Sequence, residues 1–86
     1  MNVLKNLNKN ELKGTYRHYK GGIYYVDRLV THTETNELLV FYYDDENTCW
    51  VRPYDMFFSE APQGEENVTN QKNRFEKINL ATIYKK

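Results

Sequence analysis

The sequence predicts a mainly β fold: a small SH3-like antiparallel barrel of four to five strands, with one short helical turn and short helical segments at its ends. Three observations lead there. Runs of strand length, rich in Tyr, Val and Ile, recur along the chain. Tight-turn residues separate them, at Gly21-Gly22, at 33–37 and at 44–47. A single helical-turn pattern, Pro53 to Phe58, stands before the last strand.

In chain order, Leu4 to Lys13 carries apolar residues at 4, 7 and 12, which suggests one or two helical turns, with Gly14 as the stop. Thr15–Lys20 and Ile23–Thr31 form two strands joined by a two-residue Gly-Gly loop, because the mirror-image turns of tight hairpins need positive φ. That register pairs Lys20 with Ile23, His18 with Tyr25 and Tyr16 with Asp27. One face then carries Tyr16, His18, Lys20, Ile23, Tyr25 and Leu29, and the other Arg17, Tyr19, Tyr24, Val26, Val30 and His32. Leu38–Tyr43 is an unbroken apolar run, expected as a central strand buried on both sides. Thr48–Arg52 is a fourth strand closed by Pro53, which cannot donate to a ladder. Met56 and Phe57 or Phe58 cap the barrel from the helical turn. Ala61–Asn73 is a loop containing Pro62 and Gly64, and Arg74–Ile78 is a fifth strand. Leu80, Ile83 and Tyr84 repeat at helical spacing and suggest a C-terminal helix.

Eighty-six residues make one domain, residues 1–86. Hydrophobic residues are 40% and aromatics 15%, with eight Tyr, four Phe and one Trp, which excludes full disorder. No run of about 18 apolar residues occurs, so no transmembrane helix is expected. The first residues lead into a polar stretch, so export is not expected, and a single Cys, Cys49, agrees with a reducing, cytoplasmic setting. Twelve basic and twelve acidic residues cancel, which disfavours indiscriminate nucleic-acid binding. Locally the charge is uneven. Residues 1–28 carry six basic against two acidic side chains, 29–67 one against nine, and 68–86 five against one. With the marginal core of so short a chain, this points to self-association in which the C-terminal stripe takes part.

Two clusters carry candidate chemistry. Tyr16-Arg17-His18-Tyr19-Lys20-Gly21-Gly22 alternates cationic or titratable groups with phenol rings beside a glycine turn. Rings stack on a planar ligand, Arg and Lys meet a phosphate, and glycine lets it approach the backbone. The competing explanation is an ordinary hairpin. In Trp50-Val51-Arg52-Pro53, alternation puts Trp50 and Arg52 on one face. Trp beside Arg is a common binding pair, and the competing explanation is a core Trp with Arg52 paired to Asp55 or Glu34. His32, at a strand end near Glu34, could act as a base, but no activated nucleophile accompanies it, and Thr35 and Asn36 fit a simple turn. Two His and one Cys, scattered, do not make a zinc site. Asn67-Val68-Thr69 matches a glycosylation sequon by chance.

The string Gly14-x-Tyr16-Arg17-His18-Tyr19-Lys20-Gly21, with Tyr24-x-Val26, His32-x-Glu34-Thr35, Val40-x-Tyr42, Trp50-Val51-Arg52-Pro53-x-x-Met56-Phe57 and Arg74-Phe75, closely resembles the short bacterial and phage domain-of-unknown-function family 1653. The resemblance covers about residues 14–78 and leaves segments 1–13 and 79–86 outside. It implies a small β-rich domain and no particular chemistry. Tyr42–Thr48 departs from the family, whose members usually carry an Arg and a longer aromatic or glycine-containing turn there.

The function expected is a non-enzymatic binding module, without cofactor, metal or catalytic residue, that sequesters a small anionic, nucleotide-like ligand. Tyr16, His18, Trp50 and Arg52 form its wall, and Arg17, Lys20 and His32 are further ligand-binding candidates. The alternatives are a peptide-interaction module using the same aromatics, and a small enzyme using His32 or His18.

Overall fold

The computed structural model describes residues 9–78. A short helix α1, Lys9–Leu12, leads into strands β1 (Gly14–His18), β2 (Ile23–Thr31), β3 (Leu38–Tyr43) and β4 (Cys49–Pro53). A helical turn α2, Tyr54–Phe57, follows, and the last strand is β5, Phe75–Lys77. All five strands join one antiparallel sheet in the order β4-β3-β2-β1-β5. The protein is mainly β, as the strand runs predict. The sheet is not closed: among the described residues no ladder joins β4 to β5. The expected C-terminal helix over 80–84, and Leu4 and Leu7 of the expected first helix, lie outside the described residues.

The first hairpin departs from the expected register. Tyr16 faces Tyr24 and Arg17 faces Ile23, so the loop is Tyr19–Gly22 rather than Gly21-Gly22 alone. The His18 N–H donates to the Gly22 carbonyl at 2.8 Å, and the Gly21 N–H returns to the His18 carbonyl at 2.7 Å. Gly21 supplies the positive φ, +103°, that closes the loop. The expected Tyr16–Asp27 pairing is three residues away from the observed one. An odd shift exchanges the faces of one strand relative to its partner. Tyr24 and Val26 therefore share the face of Tyr16 and His18, while Ile23 and Tyr25 lie with Arg17 on the other.

A bulge at Asp27 makes a second exchange. Pairing steps from Val26↔Tyr42 to Arg28↔Phe41, leaving Asp27 extra. Val26 and Leu29, three positions apart, consequently both reach the core. β3 lies inside the sheet, but only Val40 and Tyr42 are buried; its other face is half-covered, not buried as expected.

The core is largely aromatic. Tyr16, Val26, Val40, Tyr42, Phe57 and Phe75 are buried together. α2 lowers Phe57 onto the concave face, where it stacks on Phe75 with centroids 4.0 Å apart and planes 5° apart. Tyr16 and Tyr42 meet Phe57 edge-on at 5.5 and 5.2 Å. Each such pair adds about 0.5–1.5 kcal/mol beyond the area buried. Met56, expected beside the Phe side chains as a cap, is instead exposed. α2 is a single turn, and only one of its side chains can point straight at the sheet.

The long segment after α2 is held by polar contacts. Gln71 is buried and its Nε2 donates to the carbonyls of Arg17 and Asn73, at 3.0 and 3.1 Å. Asn67 donates through Nδ2 to the carbonyls of Pro62 and Gln71, so the sequon asparagine is a loop clasp. The Arg74 N–H donates to the Ser59 carbonyl and the Ala61 N–H to the Lys72 carbonyl, which covers the outer side of the segment leading into β5.

Candidate ligand-binding site

The site grows from the concave face, beside the core residues Val40 and Tyr42. β4 pairs with β3 so that Trp50 faces Tyr42 and Arg52 faces Val40. Tyr42 and Val40 are core residues, so Trp50 and Arg52 project on the concave side, on one face as alternation predicts, with Cys49 and Val51 on the outer one. Trp50 is nonetheless 47% exposed, because β4 is an edge strand. Arg52 donates through Nε to the Tyr42 hydroxyl at 3.4 Å. Among the described residues no carboxylate lies within 4.0 Å of it, so neither Asp55 nor Glu34 pairs with it.

From Tyr42 a row of rings crosses the sheet. Tyr24 meets Tyr42 edge-on at 5.6 Å, and His18 meets Tyr24 at 6.2 Å and Phe75 at 4.8 Å. Beyond His18 lies Tyr19, 4.3 Å away, with the Arg74 guanidinium 5.6 Å from its ring centre. Arg74 also donates through Nε to Ser59 Oγ at 3.2 Å.

His18 is the titratable centre of this row. Its Nδ1 accepts the Lys20 N–H at 3.1 Å, which leaves Nε2 as the protonated nitrogen of the neutral ring. Burial holds its pKa below the usual histidine value, and the charges of Arg74, Arg52 and Lys20 push the same way. Three cations from three different segments thus act on one half-buried imidazole.

The sequence candidates divide. His18, Trp50 and Arg52 line this face, and Lys20 sits at its rim, exposed, 3.8 Å from Glu66 Oε1. Tyr16 does not form a wall: it is enclosed in the core, and its hydroxyl donates to the Leu12 carbonyl at 3.0 Å. Burial, with a smaller contribution from Tyr54, raises its pKa. Arg17 lies on the opposite face, where its Nε donates to Gln71 Oε1 at 2.8 Å. His32 sits beyond the far end of the nine-residue β2, about 25–30 Å along the strand from Ile23. Its Nδ1 accepts the Glu34 N–H at 3.1 Å, and the Thr35 hydroxyl accepts the Glu37 N–H, so that segment is a side-chain-capped turn.

Tyr24, Tyr42 and Arg74 join the site without having been singled out for it. The Tyr residues follow from the hairpin register, and Arg74 from the pairing of β5 with β1 that sets Phe75 opposite His18. The sequence places Arg74 at the start of the expected fifth strand and in the family string, without a role in the site. Among the described residues no group of three metal-ligating side chains assembles, and no helix is long and apolar enough to cross a membrane.

No curated protein and no solved structure gives a significant match. The sequence model of one family, described as a protein of unknown function (DUF1653), matches residues 14–77. That span holds all five strands, α2 and every residue of the concave site, and the chain therefore belongs to the DUF1653 family.

Proposed function

We propose that the protein is a non-enzymatic binding module for a small anionic ligand with a planar part, of the nucleotide class. The observation that carries this is Arg52: a guanidinium on the open concave face, without a carboxylate partner among the described residues, beside the exposed indole of Trp50. Guanidinium pairs with phosphate through two parallel donors, and indole offers a flat surface for a base. Arg74 and the Nε2–H of His18 add donors of the same polarity across the row of rings. These groups are hydrogen-bond donors and flat rings, which suits holding the ligand.

Trp50, the single tryptophan, reports on its own site. Titration of its fluorescence with nucleotides, with pyrophosphate and with uncharged nucleosides tests the proposal. A response to nucleotides that exceeds both others is expected. Equal response to an apolar peptide panel, with none to nucleotides, would support the peptide-groove alternative, which the exposure of Met56 and Trp50 favours.

A further inference from the structure

We propose that the outer edge of β4 is a self-association strand, along which a second copy of this chain pairs antiparallel across a two-fold axis at Val51. The direction of the β4 backbone groups follows from one hydrogen bond. The Asp44 N–H donates to the Thr48 carbonyl at 3.1 Å. Bonded and non-bonded pairs alternate along an antiparallel ladder. The pairs Tyr42↔Trp50 and Val40↔Arg52 are then the bonded ones, and Cys49, Val51 and Pro53 turn their backbone groups away from β3. Among the described residues nothing pairs with that edge.

An open edge is normally guarded by lysine, by inward charge, by a bulge or by proline. β4 has no lysine and no bulge, and its one inward charge, Arg52, finds an indole in the pairing about Val51; its outer-face side chains are Cys49 and Val51, both exposed and uncharged, Val51 at 57%. At the other end of the sheet, the segment leading into β5 is covered through the Ser59–Arg74 and Ala61–Lys72 bonds. Only Pro53 interrupts β4, and it lacks a donor, not an acceptor.

Pairing about Val51 fits those groups. Val51 of each copy exchanges two N–H to carbonyl bonds with its counterpart. The Cys49 N–H of each donates to the Pro53 carbonyl of the other, so the missing proline N–H costs one bond per copy. On the concave side Trp50 of one copy faces Arg52 of the other, a cation-on-indole contact that is self-complementary because each copy supplies both partners. Two copies of Val51 meet on the outer side. A second copy is the occupant chosen because only an identical strand satisfies both pairings at once. The pairing uses the Trp50 and Arg52 side chains of the proposed ligand site, and the Val51 variants, which leave both in place, test it separately from that site.

Sedimentation equilibrium of the full chain, from micromolar to submillimolar concentration, tests this. The expected result is a mass approaching twice the 10.4 kDa of one chain. Val51→Pro removes a donor that β3 does not use, and Val51→Lys places like charges at the axis. Each is expected to weaken association at least about tenfold. Hydrogen exchange adds an independent reading: the Cys49 and Val51 amides should exchange slowly in the wild-type dimer and quickly in Val51→Lys. If Val51→Pro does not fold, Val51→Lys decides. A wild-type monomer throughout, or a dimer unchanged in Val51→Lys with those two amides unprotected, overturns the proposal.

Discussion

The Nε of Arg52 donates to the hydroxyl of Tyr42 across 3.4 Å, tying the one cation of β4 to a buried ring of the core. The bond is long and leaves both terminal guanidinium nitrogens to other partners. Tyr42 therefore aims Arg52 without consuming it. This arrangement suits recognition better than stability, since a half-exposed neutral-acceptor bond contributes little to folding.

The first prediction follows from it. Arg52→Ala should abolish nucleotide retention, read by Trp50 fluorescence or by native mass spectrometry of protein purified from cells. Its melting temperature should stay within a few degrees of wild type, because the lost bond is worth about 1 kcal/mol. Arg52→Lys should not restore binding, since an ammonium cannot form the paired contact. Collapse of the fold in Arg52→Ala would instead assign this residue to structure.

His18 gives a pH dependence whose sign is fixed. Burial first, then Arg74, Arg52 and Lys20, hold its folded pKa below 6.5. Between that lowered value and 6.5 the unfolded chain binds more protons than the folded one, so stability rises with pH. The folded state thus loses stability as pH falls from about 6.5, and the loss levels off below the folded pKa. His18→Asn keeps an acceptor for the Lys20 N–H but does not titrate. Its melting temperature should fall less steeply than that of wild type between neutral and mildly acidic pH. Parallel curves for the two proteins would show that His18 is not the group responsible.

Much of this fold was legible in the sequence, and the faces of its strands were not. The five strands and α2 fall where apolar runs and turn residues predict them, because those runs must bury a face whatever the register. Gly21-Gly22, in contrast, serves a two-residue or a four-residue loop equally well, and that choice decides whether Tyr24 lies with His18 or against it. The extra residue at Asp27 changes parity again, with no local signal. β4 has neither a bulge nor a variable hairpin register, so Trp50 and Arg52 share a face as alternation requires. Tyr16 has the composition of a ligand wall but sits one strand from an open position, under Phe57. His18 and His32 are chemically alike in sequence, yet only the first end of β2 faces the cations.

Catalysis is tested directly. No turnover of nucleotides or phosphoesters is expected, with or without divalent metal, under multiple-turnover conditions. His18 ends β1 and His32 lies just past the far end of β2, and each already has its Nδ1 engaged by backbone N–H groups. Product formation lost in His18→Ala or His32→Ala would establish an enzyme.

The core prediction rests on Phe57, the largest fully buried side chain. It is the side chain of α2 enclosed in the sheet's aromatic centre, against Phe75, Tyr42 and Tyr16, with Tyr54 and Phe58 packed at the margin. Phe57→Ala should cost about 3–5 kcal/mol. Domains of this size hold only about 5–10 kcal/mol in total. The variant should therefore melt far below wild type by circular dichroism, whereas Phe57→Leu, which keeps most of the volume, should retain a cooperative transition.

The last prediction concerns Gly14, where α1 turns into β1. Its φ is +143°, a region that L side chains rarely adopt, and a Cβ there would meet Lys77 Cε at 2.7 Å. The Lys77 ammonium donates to the Glu11 carbonyl, so the side chain that would have to move also ties β5 to the end of α1. Gly14→Ala thus carries two separable costs, backbone strain of about 1–3 kcal/mol and displacement of Lys77. Lys77→Ala removes the obstruction but not the strain. If both costs operate, Gly14→Ala should be markedly destabilised, and the double variant should lose less than the two single losses added together. Urea denaturation of all four proteins measures this. Strict additivity would leave the backbone conformation as the whole cause. A Gly14→Ala protein as stable as wild type would mean that the chain at the α1–β1 junction does not need the glycine.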